Sequence, residues 1–281
     1  MASTDALPLA PLGKRDIAGC MALSAEAGWN QTSDDWSLFL DRGTVFGLSS
    51  ASGLPDATGA ILPYGDAFAW ISMVLVTAAR RRARIGTRIL ETCCTEVTQR
   101  RLVAVLDATP AGEQVYRPLG FEPLFGLTRW QGVGGGRGAT SSGIRPMGAG
   151  DLHAAAAIDA AAFGAERSFL LDSFFRRAPH LAFITESGDG FALARTGRIA
   201  TQIGPIVAAS EPMAAALLDA ALDAAAGPVF LDLCDRWNGL AGQLKQRAYT
   251  VQRPFLRMAL RPRGPFGDAT RTFVIAGPEF G

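Results

Sequence analysis

The stretch VTAARRRARIGTRIL, Val76 to Leu90, restricts the fold more than any other part of the chain. A β-type apolar run, AFAWISMVLV, ends at Val76. A tight arginine-rich loop comes next, and a helix then opens with Ile85, Gly86 and Thr87 in its first turn. Such a corner exposes unpaired backbone N–H groups, and the helix dipole adds about half a positive charge, so it attracts phosphate. Glycine at 86 lets the main chain come close to a ligand, Thr87 adds a hydroxyl, and Arg81, Arg82 and Arg84 add charge-assisted donors. The competing reading is a solvated helix end, which is commoner for charge runs in general. The strand, loop, glycine and helix in this order raise the ligand reading above it.

Composition makes the arginine block a local matter. The chain has 281 residues, 48% hydrophobic, with 27 Lys+Arg against 26 Asp+Glu and a net charge of +1. That suits one large or two modest domains. It argues against a nucleic-acid partner, which needs a basic face and would bind duplex DNA in a salt-sensitive way. No apolar run reaches the roughly 18–20 residues of a membrane span, and the opening MASTDALPLAPLGKRD has no apolar core of signal-peptide length, so a cytoplasmic protein with no membrane partner is expected. Cys20, Cys93, Cys94 and Cys234 have no C-x-x-C spacing, which supports neither a metal site nor a disulfide framework. His153 and His180 lie near no nucleophile motif, against a Ser/His/Asp hydrolase.

The segment WQGVGGGRGATSSG, Trp130 to Gly143, reads as a flexible linker between two halves. The expected domains are 1–131 and 144–281, joined by a Gly/Ser-rich linker at 132–143. The first half orders as helix, helix (N-cap at Ser33 or Asp34, stop at Gly43), a strand meander, the helix after Gly86, the strand RLVAVLDA, a short helix at 113–119 and a strand near 121–130. The second half repeats this order more faintly, ending in strand PVFLDLCD and a helix near 237–246. An α+β tandem repeat is the expected fold class.

At these residues the chain resembles the GNAT superfamily of acetyl-coenzyme A dependent N-acyltransferases, whose pyrophosphate loop reads V-x-x-x-x-[RQ]-x-x-G-x-[GA]. Val76, Arg81 and Gly86 fit, while Arg84 stands where the middle glycine is expected. LDATPAGEQVYRPLGF, Leu106 to Phe121, looks like the second segment of the superfamily, with a tyrosine shortly before Gly-Phe. It is similar to a bacterial tandem-GNAT subfamily in AGWNQT…DW, in WISMVLV, in this LDATPAG…Y…LGF segment and in the terminal GPEFG. The resemblance implies two tandem GNAT-like domains, each a mixed, mostly antiparallel sheet flanked by helices.

The same resemblance implies acetyl-coenzyme A as the cosubstrate, with no metal, and a small-molecule amine as the acceptor. It assigns Arg81, Arg82, Ala83, Arg84, Ile85, Gly86 and Thr87 to the diphosphate. It also implies that the fourth and fifth strands splay apart, with the pantetheine arm along the backbone of Met73, Val74 and Val76. Thr109 stands where relatives carry an asparagine contacting pantetheine. Tyr116 holds the superfamily position of the acid that returns a proton to the departing thiolate, against the alternative of a packed core tyrosine. By the same likeness Trp29, Asn30 and Trp36 form an acceptor wall or, equally, an N-cap with two anchoring tryptophans. Asp107 is the carboxylate nearest the gap, with a turn cap about as good a reading, and no general base is identifiable. Arginine at 84 is strained by roughly 1–2 kcal/mol if its φ is positive and costs little if helical; the arginine-rich loop favours the helical case. The second half lacks the loop, with Ser210 capping a helix that begins Glu211–Pro212, and is expected not to bind coenzyme A at full strength. The alternative function is a catalytically weak acyl-coenzyme A sensor or scaffold.

Overall fold

The computed structural model describes residues 8–49, 53–136 and 142–281. Contacts divide the chain into two compact units, Met1–Leu106 with Phe280, and Asp107–Glu279 with Gly281. Each is an α+β body with a mostly antiparallel sheet flanked by helices.

Unit 1 runs β1 (Ala10–Pro11), α1 (Ile17–Glu26), α2 (Ser33–Arg42), β2 (Thr44–Ser49), β3 (Pro55–Tyr64), β4 (Phe68–Val76), α3 (Ile85–Gln99) and β5 (Val103–Ala108), whose last two residues belong to unit 2. The strand order is β1-β2-β3-β4-β5, antiparallel except for β4 with β5. The N-cap of α2 is Thr32, one residue ahead of the sequence expectation. Its backbone N–H donates to the Asp35 carboxylate at 2.8 Å in a reciprocal capping box, which satisfies two otherwise orphaned donors. Along α3 the buried residues Ile85, Ile89, Leu90, Cys93 and Val97 recur at helical spacing. Gly59 on β3 leaves room for Ile89, since any side chain there would collide with it. Phe280 completes this core, stacking on Phe39 at 4.8 Å while its carbonyl accepts from the Tyr64 hydroxyl at 2.8 Å.

Unit 2 runs α4 (Pro110–Tyr116), β6 (Phe121–Gly134), β7 (Ile144–Pro146), α5 (Leu152–Phe163), α6 (Ser168–Arg177), β8 (Phe183–Thr185), β9 (Gly190–Arg195), β10 (Thr201–Ala208), α7 (Glu211–Ala224), β11 (Gly227–Cys234), α8 (Asn238–Gln246), β12 (Thr250–Leu260) and β13 (Thr272–Val274). Its strand order is β12-β6-β11-β13-β10-β9-β8-β7. On α7, Ala214, Leu217, Leu218, Ala221 and Leu222 form the buried stripe against this sheet, each leucine contributing about 1.5–3 kcal/mol by burial. Ser210 stands at the N-cap of α7, but its hydroxyl makes no capping bond. The expected linker begins as strand, because Gly132, Val133 and Gly134 pair with Val229, Pro228 and Gly227 of β11, and ladder pairing overrides their glycine content. Residues 137–141 of that segment lie outside the described residues.

Unit 2 also buries a set of ion pairs. Arg129 donates twice to Asp232 at 2.8 Å, Gln202 adds a bond to the same carboxylate at 2.9 Å, and Arg195 holds Glu279 and the Ala276 carbonyl. Arg167 grips Asp159 with two bonds and donates to the Gly281 carbonyl at 2.6 Å. The GPEFG ending is thus read by side chains from distant elements.

Candidate functional site

In unit 1 the site begins with a break in a strand. The β3–β4 register shifts between Thr58 and Ala60, and Met73 opposite the shift has φ +53. The buried Thr58 hydroxyl donates to the Met73 carbonyl at 2.9 Å and fixes this bulge. The parallel ladder with β5 covers only Phe68–Trp70 against Val103–Val105. Among the described residues β4 from Ile71 to Val76, with Met73, Val74 and Val76 on it, therefore has a ladder on its β3 side alone. The β4–β5 pair thus parts after Trp70 and leaves this edge of β4 without a ladder.

That edge leads into the arginine loop. α3 starts at Ile85 without a side-chain cap, so the N–H groups of Ile85, Gly86 and Thr87 point out of the helix start unshared, while the Arg88 N–H already bonds the Arg84 carbonyl at 3.0 Å. Arg81, Arg82, Ala83 and Arg84 are exposed, and among the described residues no ion pair engages these three arginines. A Cβ at Gly86 would meet nothing nearer than Val76 Cγ2 at 3.7 Å, so internal packing does not call for glycine there. The uncapped donors and the exposed arginines, of which Arg81 also donates its Nε–H to the Val76 carbonyl at 3.2 Å, fit a diphosphate.

Arg84 corrects the sequence reading. It lies at φ +57, ψ +10, left-handed, and Arg82 also has positive φ. The loop keeps the backbone turn that a glycine would take without strain, and arginine adopts it at a cost of roughly 1–2 kcal/mol.

Sequence reasoning missed what holds the loop. The Glu26 carboxylate, at the end of α1, accepts from the Ala78 N–H at 2.6 Å and the Thr77 hydroxyl at 2.9 Å, and Arg80 pairs with Asp56 at 2.6 Å. No local pattern announces pairs 51 and 24 residues apart. The Ala78 backbone bond, then the Thr77 hydroxyl, lowers the Glu26 pKa from 4.5. A lowered carboxylate contributes its tether above the ordinary value and loses it as pH falls through the folded one. Protection of the Ala78 amide from hydrogen exchange is therefore expected to be flat above the ordinary glutamate range and to fall on acidification below it. Glu26→Gln should lower that protection near neutrality and flatten the acid limb, as exchange measured across pH would read.

Of the residues expected at an acceptor wall, Trp36 is fully buried, with its Nε1–H donating to Ser24 Oγ at 3.0 Å and its ring edge-on to Phe39 at 6.0 Å. Asn30 is buried and Trp29 half-buried, its N–H on the Ser24 carbonyl. Beside them Gln31 Oε1, and on β4 Ser72 Oγ, are buried with no hydrogen-bond partner, an arrangement that costs about 1–3 kcal/mol per atom until a ligand or water supplies one.

The remaining expected residues lie in unit 2. Both Asp107 oxygens accept from Arg257, at 2.9 Å each, and the carboxylate is fully buried. Burial pushes the Asp107 carboxyl up, and the Arg257 guanidinium opposes it. Thr109 is the N-cap of α4, its oxygen accepting from the Gly112 N–H at 3.2 Å, which leaves its hydroxyl proton to donate. Tyr116 closes α4, half-buried, its ring 5.9 Å from Phe121 and folded over Gly112, where a Cβ would come within 2.9 Å of the ring. The cysteines are all free, and burial pushes Cys20, Cys93, Cys94 and Cys234 up to about 12, which leaves them unreactive thiols. Among the described residues no cluster could hold a metal ion, and no helix is long and apolar enough to cross a membrane.

Residues 155–273 match the family model for an acetyltransferase (GNAT) domain. The uncharacterized N-acetyltransferase YitH of Bacillus subtilis is 24% identical over 251 residues, covering 86% of this chain and 87% of its own length. A protein from Pyrococcus horikoshii described as an acetyltransferase superposes with a TM-score of 0.80 at 20% identity, over 98% of this chain and 96% of that one. A tandem GNAT protein from the clavulanic acid biosynthesis pathway superposes at 0.59 and 13% identity, over 92% and 99%. Together with the split parallel pair of β4 and β5, these likenesses define the chain as an acyltransferase. Residues 155–273 are similar to a GNAT acetyltransferase domain, and the chain shares its fold with a tandem GNAT protein.

Proposed function

We propose that this chain transfers an acetyl group from acetyl-coenzyme A to the amine of a small-molecule acceptor. The observation that carries the reading is the unladdered edge of β4 running into an uncapped, arginine-rich helix start. Bound acetyl-coenzyme A supplies an acyl group activated toward amines. The backbone of Met73, Val74 and Val76 pairs with the extended arm as an added strand would. The N–H groups of Ile85, Gly86 and Thr87, with Arg81, Arg82 and Arg84, hold the diphosphate. The family resemblance gives Tyr116 the role of the acid that returns a proton to the departing thiolate, and Thr109 that of a hydroxyl donor. Gln31 Oε1 has acceptor capacity only, which suits an amine N–H.

Gly86→Ala tests this with two readouts of opposite sign. Relief of glycine's conformational freedom inside a helix is expected to raise stability by about 0.5–1 kcal/mol. On this reading the diphosphate lies against the main chain at Gly86, so an added methyl should lower affinity for coenzyme A by about tenfold or more, 1.4 kcal/mol or above. Unchanged affinity in a stabilised variant removes the corner from the cofactor site. A second reading, acyl-coenzyme A binding without turnover, is favoured by the left-handed Arg84. Tight binding with no thiol release on any of a panel of amines decides for it.

A further inference from the structure

In unit 2 the counterpart of the β4–β5 split is not open. β10 and β11 pair in parallel only at Thr201–Ile203 with Val229–Leu231. Beyond that point β13 enters between them, antiparallel to both, with Ile206 opposite Val274 and Val207 opposite Thr272 on one side and Leu233 opposite Val274 on the other. The flanking residues continue the double ladder: the Ala208 N–H donates to the Arg271 carbonyl at 3.1 Å, and the Ile275 N–H to the Asp232 carbonyl at 3.1 Å. Residues 271–275 thus satisfy backbone groups that the separation of the two parallel strands would leave bare.

The segment is built in. Trp237 stacks on Phe273 at 4.1 Å and donates its Nε1–H to the Thr272 carbonyl at 2.8 Å. Phe273, Val274 and Ile275 have no exposed surface. Upstream, the Asp268 N–H bonds the carbonyls of Ala161 and Ala162, which ties the approach to the end of α5. In β10, Gly204 has φ +139, and any side chain there would collide with the Ile275 carbonyl, so the strand carries the residue that the incoming segment requires. The helix after β10 differs too. α7 opens with Glu211 and Pro212, a carboxylate and a missing N–H, where α3 opens on Gly86 behind three arginines. A diphosphate would meet a carboxylate and one fewer N–H donor there.

We propose that residues 271–275 are the resident occupant of the unit 2 slot, an internal strand standing where, on the acetyltransferase reading, unit 1 receives the arm of coenzyme A. The second unit is closed to the cofactor by its own chain, and one chain takes one equivalent.

Hydrogen–deuterium exchange of the full chain, with and without millimolar coenzyme A, tests this. Amides of 201–208 and 272–275 are expected to exchange at least about 100-fold more slowly than in an open chain, equally in both conditions, while those of 71–76 slow on adding coenzyme A. Phe273→Ala should speed exchange at 272–275 without altering 71–76. Open-chain exchange at 272–275, or coenzyme A slowing 201–208, overturns the proposal, as does a second equivalent in calorimetry. If 71–76 does not respond while 272–275 stays protected, the cofactor reading of unit 1 fails and the resident strand stands.

Discussion

Tyr116→Phe is expected to lower kcat by about 10²–10⁴-fold, the usual contribution of a positioned proton donor, with little change in stability. The hydroxyl is the only atom removed. The ring keeps its place over Gly112 and against Phe121, which the phenylalanine preserves. A tyrosine that serves only to pack would lose a fraction of a kcal/mol and no rate. The two roles therefore separate in one experiment, thiol release under saturating acetyl-coenzyme A with a melting curve on the same sample. The pH–rate profile adds a readout that packing cannot imitate, since removal of the donor flattens the alkaline limb. Gly112→Ala should reproduce part of the loss by pushing the ring aside. A Phe variant within a few-fold of the parent rate ends the proposal for Tyr116.

Asp107→Asn is expected to lose about 3–5 kcal/mol of stability, the usual cost of stripping one partner from a buried ion pair. Arg257, almost fully buried, would keep its charge and lose the carboxylate charge that accepts two of its bonds. At about 2–4 °C per kcal/mol for a body of this size, the melting temperature falls by roughly 10 °C. A carboxylate used to deprotonate the acceptor would show the reverse pattern, with rate lost and melting temperature kept. Asp107→Leu combined with Arg257→Met should recover most of the stability, because removing both charges avoids leaving one buried and unpaired. Failure of the double variant to improve on the single one would show that the pair is not what Asp107 contributes.

The local pattern of the chain was enough for its repeating α+β order, the turn from β4 into α3, and the glycine at the head of that helix. Each is written in residues adjacent in sequence, where apolar spacing and capping chemistry act over one or two turns. The N-cap at Thr32 slipped by one residue because Thr32, Ser33 and Asp34 are all capping types, and only the reciprocal bond with Asp35 selects among them. Folding in three dimensions decided the rest. Arg84 takes the left-handed turn against its own preference, which its local sequence does not announce. Asp107 meets Arg257 across 150 residues, and Glu26 meets the loop across 51, distances over which local sequence carries no signal. β13 is the clearest case: three residues with no alternation become a strand because two separated strands, β10 and β11, offer hydrogen bonds on both sides. A backbone segment placed between unpaired donors and acceptors has its conformation set by them, and that placement exists only once the chain has folded.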